Sequence, residues 1–212
     1  MALMDLAGKA YGVPAYQMLG GKYRDYIRIY GDTPTLDDPI EFAKKMKERQ
    51  DLGLTFLKMD FGVDMLKNHP HTVIGGLNME YDKQWGDRKP MKGNARSYAQ
   101  TKHPFTGIQV TDEGIEIMSN FVNEVRKAVG YDIPLAADHF GHFGVNTAIR
   151  IGKALEKYQL AWLEDMIPWF YTDQWKQISD ALDTPTLTGE DIFLKEEFIK
   201  LINARAVDMI QP

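Results

Sequence analysis

Three strand-like runs, each closing on a carboxylate at one spacing, constrain this chain more than any other feature. PLAAD ends on Asp138, AWLE on Glu164 and PTLTGE on Glu190, and successive acids stand 26 residues apart. Runs this apolar normally lie inside a domain, where an ionised carboxyl is costly to desolvate. The stretch between two such runs has room for one helix and two short connections, and parallel strands need a crossover of that kind. The repeat therefore predicts consecutive βαβ units with their acids at the carboxyl ends of the strands.

The same alternation runs through most of the chain. Strands are expected at 26–32, 56–62, 133–138, 161–164, 185–190 and 207–210, and helices at 39–52, 112–129, 146–158, 171–182 and 195–203. The 112–129 helix carries Ile115, Met118, Phe121, Val122 and Val125 on one stripe and is followed by Gly130. Two architectures suit such a pattern, a doubly wound sheet and a (β/α)₈ barrel. No G-x-G-x-x-G or G-x-x-x-x-G-K-[ST] element follows the first strand, which disfavours nucleotide binding. Acids on three successive strand ends favour the barrel, where such ends surround one axis. The fold class expected is α/β, a parallel (β/α) barrel of TIM type with about six of its eight strands present. Six strands cannot close that barrel, so the chain reads as part of a longer one, and residues 1–212 alone are expected to be aggregated or molten.

Composition removes several classes. The 212 residues carry a net charge of −5, which offers no basic field for nucleic acid. No 18-residue apolar run is present, and the first residues lack a signal-peptide layout, so no membrane association is expected. With no cysteine there is no disulfide, thiolate zinc site or cysteine nucleophile, and a cytoplasmic home is the default. Residues 62–111 break the alternation with a stretch rich in Gly, His, Lys, Arg and aromatics, long enough to suggest a functional loop.

Three converging acids repel one another and stay ionised together only beside cations. An all-oxygen donor set with room for further oxygen ligands suits Mg²⁺, whereas zinc prefers histidine or thiolate. The competing reading makes each acid a helix cap after its strand. The shared spacing argues against that for Asp138, Glu164 and Glu190, while Asp165 and Asp191, one residue further on, suit capping.

LAAD, WLEDMIP and TGED, so spaced, resemble the metal-binding strands of the enolase superfamily barrel, nearest its mandelate racemase and mannonate dehydratase branches. The segment 1–32 is similar to the end of that family's N-terminal capping domain and its first barrel strand, and VDMIQP to its sixth strand. The resemblance covers nearly everything except 62–111. It implies residues 1–25 as the last part of the capping domain and 26–212 as a partial catalytic barrel. Asp138, Glu164 and Glu190 would be the Mg²⁺ ligands. The implied activity is dehydration of acid sugars, by removal of a proton α to the carboxylate and loss of the β-hydroxyl. The alternatives are a racemase or epimerase of the same superfamily, or a catalytically silent metal-binding paralogue. Lys58 matches the first lysine of a Lys-x-Lys pair on the second strand; the second, usually the base, is Asp60 here. Lys58, His139 and His142 are the catalytic candidates, with His142 favoured over His139 as general acid. Tyr81 and Arg88 of the long loop are candidates for substrate contact. The expected partners are a small carboxylate substrate and further copies of the chain in a homo-oligomer.

Overall fold

The computed structural model describes residues 2–32, 35–66, 69–75, 108–138 and 143–212. Two short helices come first, α1 (Ala2–Tyr11) and α2 (Ala15–Met18). α3 (Pro39–Asp51) starts where the Asp38 carboxylate accepts the backbone N–H groups of Ile40 and Glu41, with Pro39 in its first turn. β1 (Leu57–Asp60) follows, then an antiparallel pair, β2 (Val73–Gly75) and β3 (Ile108–Val110). α4 (Asp112–Val129) is capped by the Thr111 hydroxyl, which accepts the Gly114 N–H at 3.2 Å, and ends at Gly130 with φ 74°. The remaining elements alternate: β4 (Leu135–Asp138), α5 (Val145–Leu155), β5 (Leu163–Glu164), α6 (Thr172–Ala181), β6 (Thr186–Thr188), α7 (Lys195–Ala204) and β7 (Met209–Ile210).

β1, β4, β5, β6 and β7 lie side by side in that order, all parallel. Strand alternation gives this arc two different faces. Leu57, Met59, Leu135, Ala137 and Leu163 belong to the large core shared with the helices, where Met46, Phe121, Val122, Ile151 and Trp175 are buried. Ala136, Trp162 and Leu187 form a separate smaller cluster with Phe56, Ala161 and Met209. One face therefore packs on helices and the other on the barrel interior, the arrangement of a (β/α) barrel of TIM type. Asp138 and Glu164 share parity with Ala136 and Trp162, so the interior face ends in acids.

The 112–129 helix has the expected bounds, and five of the six expected strands form. The exception is 26–32, where only Gly31 pairs, in a parallel bridge with Leu57. Gly31 N–H donates to Phe56 O at 2.8 Å, and Lys58 N–H donates to Gly31 O at 2.9 Å. Tyr26, Ile27 and Ile29 are exposed. Their alternation suits a strand, but among the described residues this segment has a neighbour on one side alone. The expected 146–158 helix also changes character at its end: Glu156–Tyr158 tightens into a 3₁₀ turn, and Gln159 at φ 51° stops it. The β2–β3 pair is a feature the sequence did not announce. It joins the two ends of the expected 62–111 loop, of which 67–68 and 76–107 lie outside the described residues.

Candidate metal centre

β1, β4 and β5 set the floor of the site. Their register aligns Lys58 with Ala136, Asp60 with Asp138, and Ala137 with Leu163. Asp138 and Glu164 are completely buried, and Lys58 is 5 % exposed between them. The Lys58 ammonium donates to Asp138 Oδ2 and lies 3.5 Å from Glu164 Oε2. It also stands 5.1 Å from the centre of the Tyr30 ring. Burial alone pulls the ammonium pKa down, but the hydrogen bond and charge of Asp138, with the charge of Glu164, hold it above the ordinary lysine range.

Glu164 has a second donor: the Trp162 indole N–H reaches Oε2 at 2.9 Å. Its other oxygen, Oε1, is the buried side-chain polar atom without a hydrogen-bond partner among the described residues. Burial pushes the Glu164 carboxyl up, and the charge of Asp138 adds to this against the opposing pull of Trp162 and Lys58.

Glu190 joins the group through a break in strand geometry. In a regular strand it would share the helix-facing side with Thr188. The chain turns instead at Gly189, whose φ is 147°. A Cβ there would lie 2.5 Å from Gln211 O, so glycine alone lets the end of β6 pass β7 this closely. Asp138, Glu164 and the exposed Glu190 thus offer one oxygen each, all within 4.8 Å of one another. An unpaired buried oxygen in an all-carboxylate donor set is what a hard divalent cation requires, so these residues fit a metal ion.

Asp165 and Asp191 do not cap helices, contrary to expectation: α6 and α7 begin several residues later, after Tyr171 and Leu194. Asp165 adopts the left-handed conformation at φ 50° and accepts the Thr188 hydroxyl at 2.7 Å. Burial pushes its carboxyl up to about 7, opposed by that hydroxyl and aided by the charges of Asp138, Glu164 and Glu190. Asp60, in place of the second lysine, accepts the Thr35 hydroxyl at 3.1 Å. Trp162 is a residue the sequence analysis does not single out; its place two residues before Glu164, on the same strand face, is the signal for this contact. His139, His142, Tyr81 and Arg88 lie outside the described residues. Among the described residues no helix is long and apolar enough to cross a membrane.

A parallel (β/α) arc with carboxylates at three successive strand ends defines a barrel of TIM type whose candidate site lies at the strand ends. Residues 41–212 match the family model described as Enolase C-terminal domain-like, and the chain belongs to that family. It is 32% identical over 215 residues to a D-xylonate dehydratase of Haloferax volcanii, covering all of this chain and 44% of the relative. It is 29% identical over 214 residues to a D-mannonate dehydratase of a Caulobacter species, covering all of this chain and 48% of that protein. Among solved structures, a mandelate racemase/muconate lactonizing enzyme-like protein of Rubrobacter xylanophilus superposes with a TM-score of 0.70 at 26% identity. That match covers 99% of this chain and 49% of the other. The chain spans about half the length of the curated relatives it matches.

Proposed function

We propose that the protein is a Mg²⁺-dependent dehydratase of acid sugars and that this chain supplies its metal-binding barrel strands. The observation that carries the reading is the cluster of Asp138, Glu164 and Glu190, with the unpaired Oε1 of Glu164 inside it. The dehydratase relatives support the substrate class, and the racemase-related neighbour supports the shared first step.

In this reading Asp138, Glu164 and Glu190 hold the ion. When bound, Mg²⁺ supplies positive charge where the substrate carboxylate gains negative charge as its α-proton leaves. Lys58 is given the cationic role, balancing the buried acids and facing the substrate carboxylate, since its surroundings keep it protonated. The α-proton leaves to a base, the bond from the β-carbon to its hydroxyl breaks, and an acid returns a proton so that water departs. The enol left behind becomes an α-keto acid. His142, ahead of His139, is our assignment for that acid, and Tyr81 and Arg88 for substrate contact. Residues 1–25 are assigned to the capping domain.

The test is a panel of aldonic acids, including xylonate, mannonate and galactonate, given to the full-length protein with Mg²⁺ and with chelator. A 2-keto-3-deoxy acid formed only with Mg²⁺ is the expected result. Exchange and inversion at the α-carbon without keto product would replace dehydration by racemisation. A folded protein that does neither across the panel would remove the catalytic reading.

A further inference from the structure

Glu164 has two different donors on one oxygen, and their chemistry differs. The lysine carries charge, so it neutralises the site and competes with any other cation there. The indole N–H is neutral and can only donate. It therefore orients the carboxylate without cancelling its charge.

The terminal torsion of a glutamate is broad and two-fold, so an unheld carboxylate turns freely. β5 is two residues long and gives the side chain little framework. Trp162, by contrast, is locked. It is 8 % exposed and packs in the interior cluster with Ala136 and Leu187. The Phe56 ring lies 4.9 Å from it at an interplanar angle of 57°, and Tyr30 at 6.1 Å and 72°. Its N–H meets Glu164 Oε2 at 2.9 Å, while Oε1 is unpaired among the described residues.

We propose that Trp162 is a positioning residue for the cation: its indole fixes Oε2 of Glu164 so that Oε1 is presented to the ion. The role rests on the cation reading above, and it extends that reading to a residue that touches neither ion nor substrate. Donors that hold a metal ligand in this way commonly change metal affinity by about 10–100-fold when removed. The aromatic trio of Tyr30, Phe56 and Trp162 thus becomes the rigid base on which the ligand is set.

The experiment is calorimetric Mg²⁺ titration of the full-length wild type, Trp162→Phe and Phe56→Leu. Phenylalanine keeps most of the ring packing and loses the N–H; Phe56→Leu loosens the same cluster and keeps the N–H. About 10–100-fold weaker Mg²⁺ binding in Trp162→Phe, with Phe56→Leu within about 3-fold of wild type, is the expected pattern. Unchanged affinity in Trp162→Phe overturns the proposal, as does an equal loss in both variants, which would make the effect one of packing. A wild type that takes up no Mg²⁺ overturns the cation reading itself. Should Trp162→Phe fail to fold, the indole ¹⁵N–H resonances of the wild type decide. One should move on adding Mg²⁺ and stay still in Glu164→Gln; no movement in the wild type overturns the role.

Discussion

Replacing Lys58 with methionine isolates the charge that makes this site tolerable without a metal. Methionine has similar length and removes only the ammonium. At an effective dielectric of about 20, unit charges at the observed 3.5 Å from Glu164 attract by about 5 kcal/mol. Part of that is offset by taking the ammonium out of water. Removing one partner of a buried pair costs about 3–5 kcal/mol in practice, because the other charge is left behind. Here two carboxylates are left, Asp138 and Glu164, both fully buried. One kcal/mol moves the melting temperature of a domain of this size by roughly 2–4 °C, and by less in a longer chain. Lys58→Met in the full-length protein should therefore melt at least about 5 °C lower in chelator. Mg²⁺ should reverse much of the loss, since a divalent ion supplies the missing charge. At 100 times its dissociation constant an ion bound only to the folded state adds about 2.7 kcal/mol. Binding to the variant should be tighter than to wild type, where the ammonium competes for the same oxygens. Differential scanning calorimetry in EDTA and in saturating Mg²⁺ reads both effects. An equal melting gap in the two conditions, or weaker Mg²⁺ binding in the variant, would refute the view of Lys58 as an internal counter-cation.

Glu164→Gln should bind Mg²⁺ far more weakly yet melt higher than wild type in chelator at pH 7. The folded protein raises the pKa of Glu164, so the ionised form opposes folding as pH rises through the folded value. The gain should shrink as pH is lowered through that range; a lower melt at pH 7 in chelator would contradict this. Gly189→Ala should lower stability by about 1–3 kcal/mol and weaken Mg²⁺ binding, because a Cβ meets Gln211 O and the turn that aims Glu190 must shift. A variant with wild-type melting and affinity would show that the turn is not constrained. Arg126→Leu should cost about 3 kcal/mol without altering Mg²⁺ affinity. It strips donors from four carbonyls, those of Tyr158, Gly130, Ile133 and Gln159, which precede β4 and β5, whereas the acids stand at the carboxyl ends of those strands. Chemical denaturation within about 0.5 kcal/mol of wild type would count against that account.

What could be read from sequence divides along physical lines. The βαβ order was legible because period-2 and period-3.6 apolar patterns report burial directly, and the strand-end acids because buried carboxylates violate that pattern. The 26–32 strand was misread because alternation registers side-chain pattern and not the presence of a pairing neighbour; only Gly31 finds one. The β2–β3 pair was missed because three-residue strands carry too little pattern to rise above a loop. The Trp162 contact was missed for another reason: a tryptophan in an apolar run packs, as this one does, and sequence does not show where its single donor points.

The departure at position 60 has a consequence that follows from the register. Asp60 and Asp138 are direct partners on neighbouring parallel strands. A second lysine at 60 would place another cation beside the same acids and lower the local negative charge. With aspartate there, the described residues of the mouth include Asp60, Asp138, Glu164, Asp165 and Glu190 around the buried Lys58 ammonium. So many acids around it favour capture of a divalent ion, and Asp165, pushed up to about 7 chiefly by burial, is raised further by the charges of Asp138, Glu164 and Glu190. Asp60→Lys should therefore weaken Mg²⁺ binding measurably. An unchanged Mg²⁺ affinity would mean that Thr35, which already donates to Asp60, insulates its charge from the cluster.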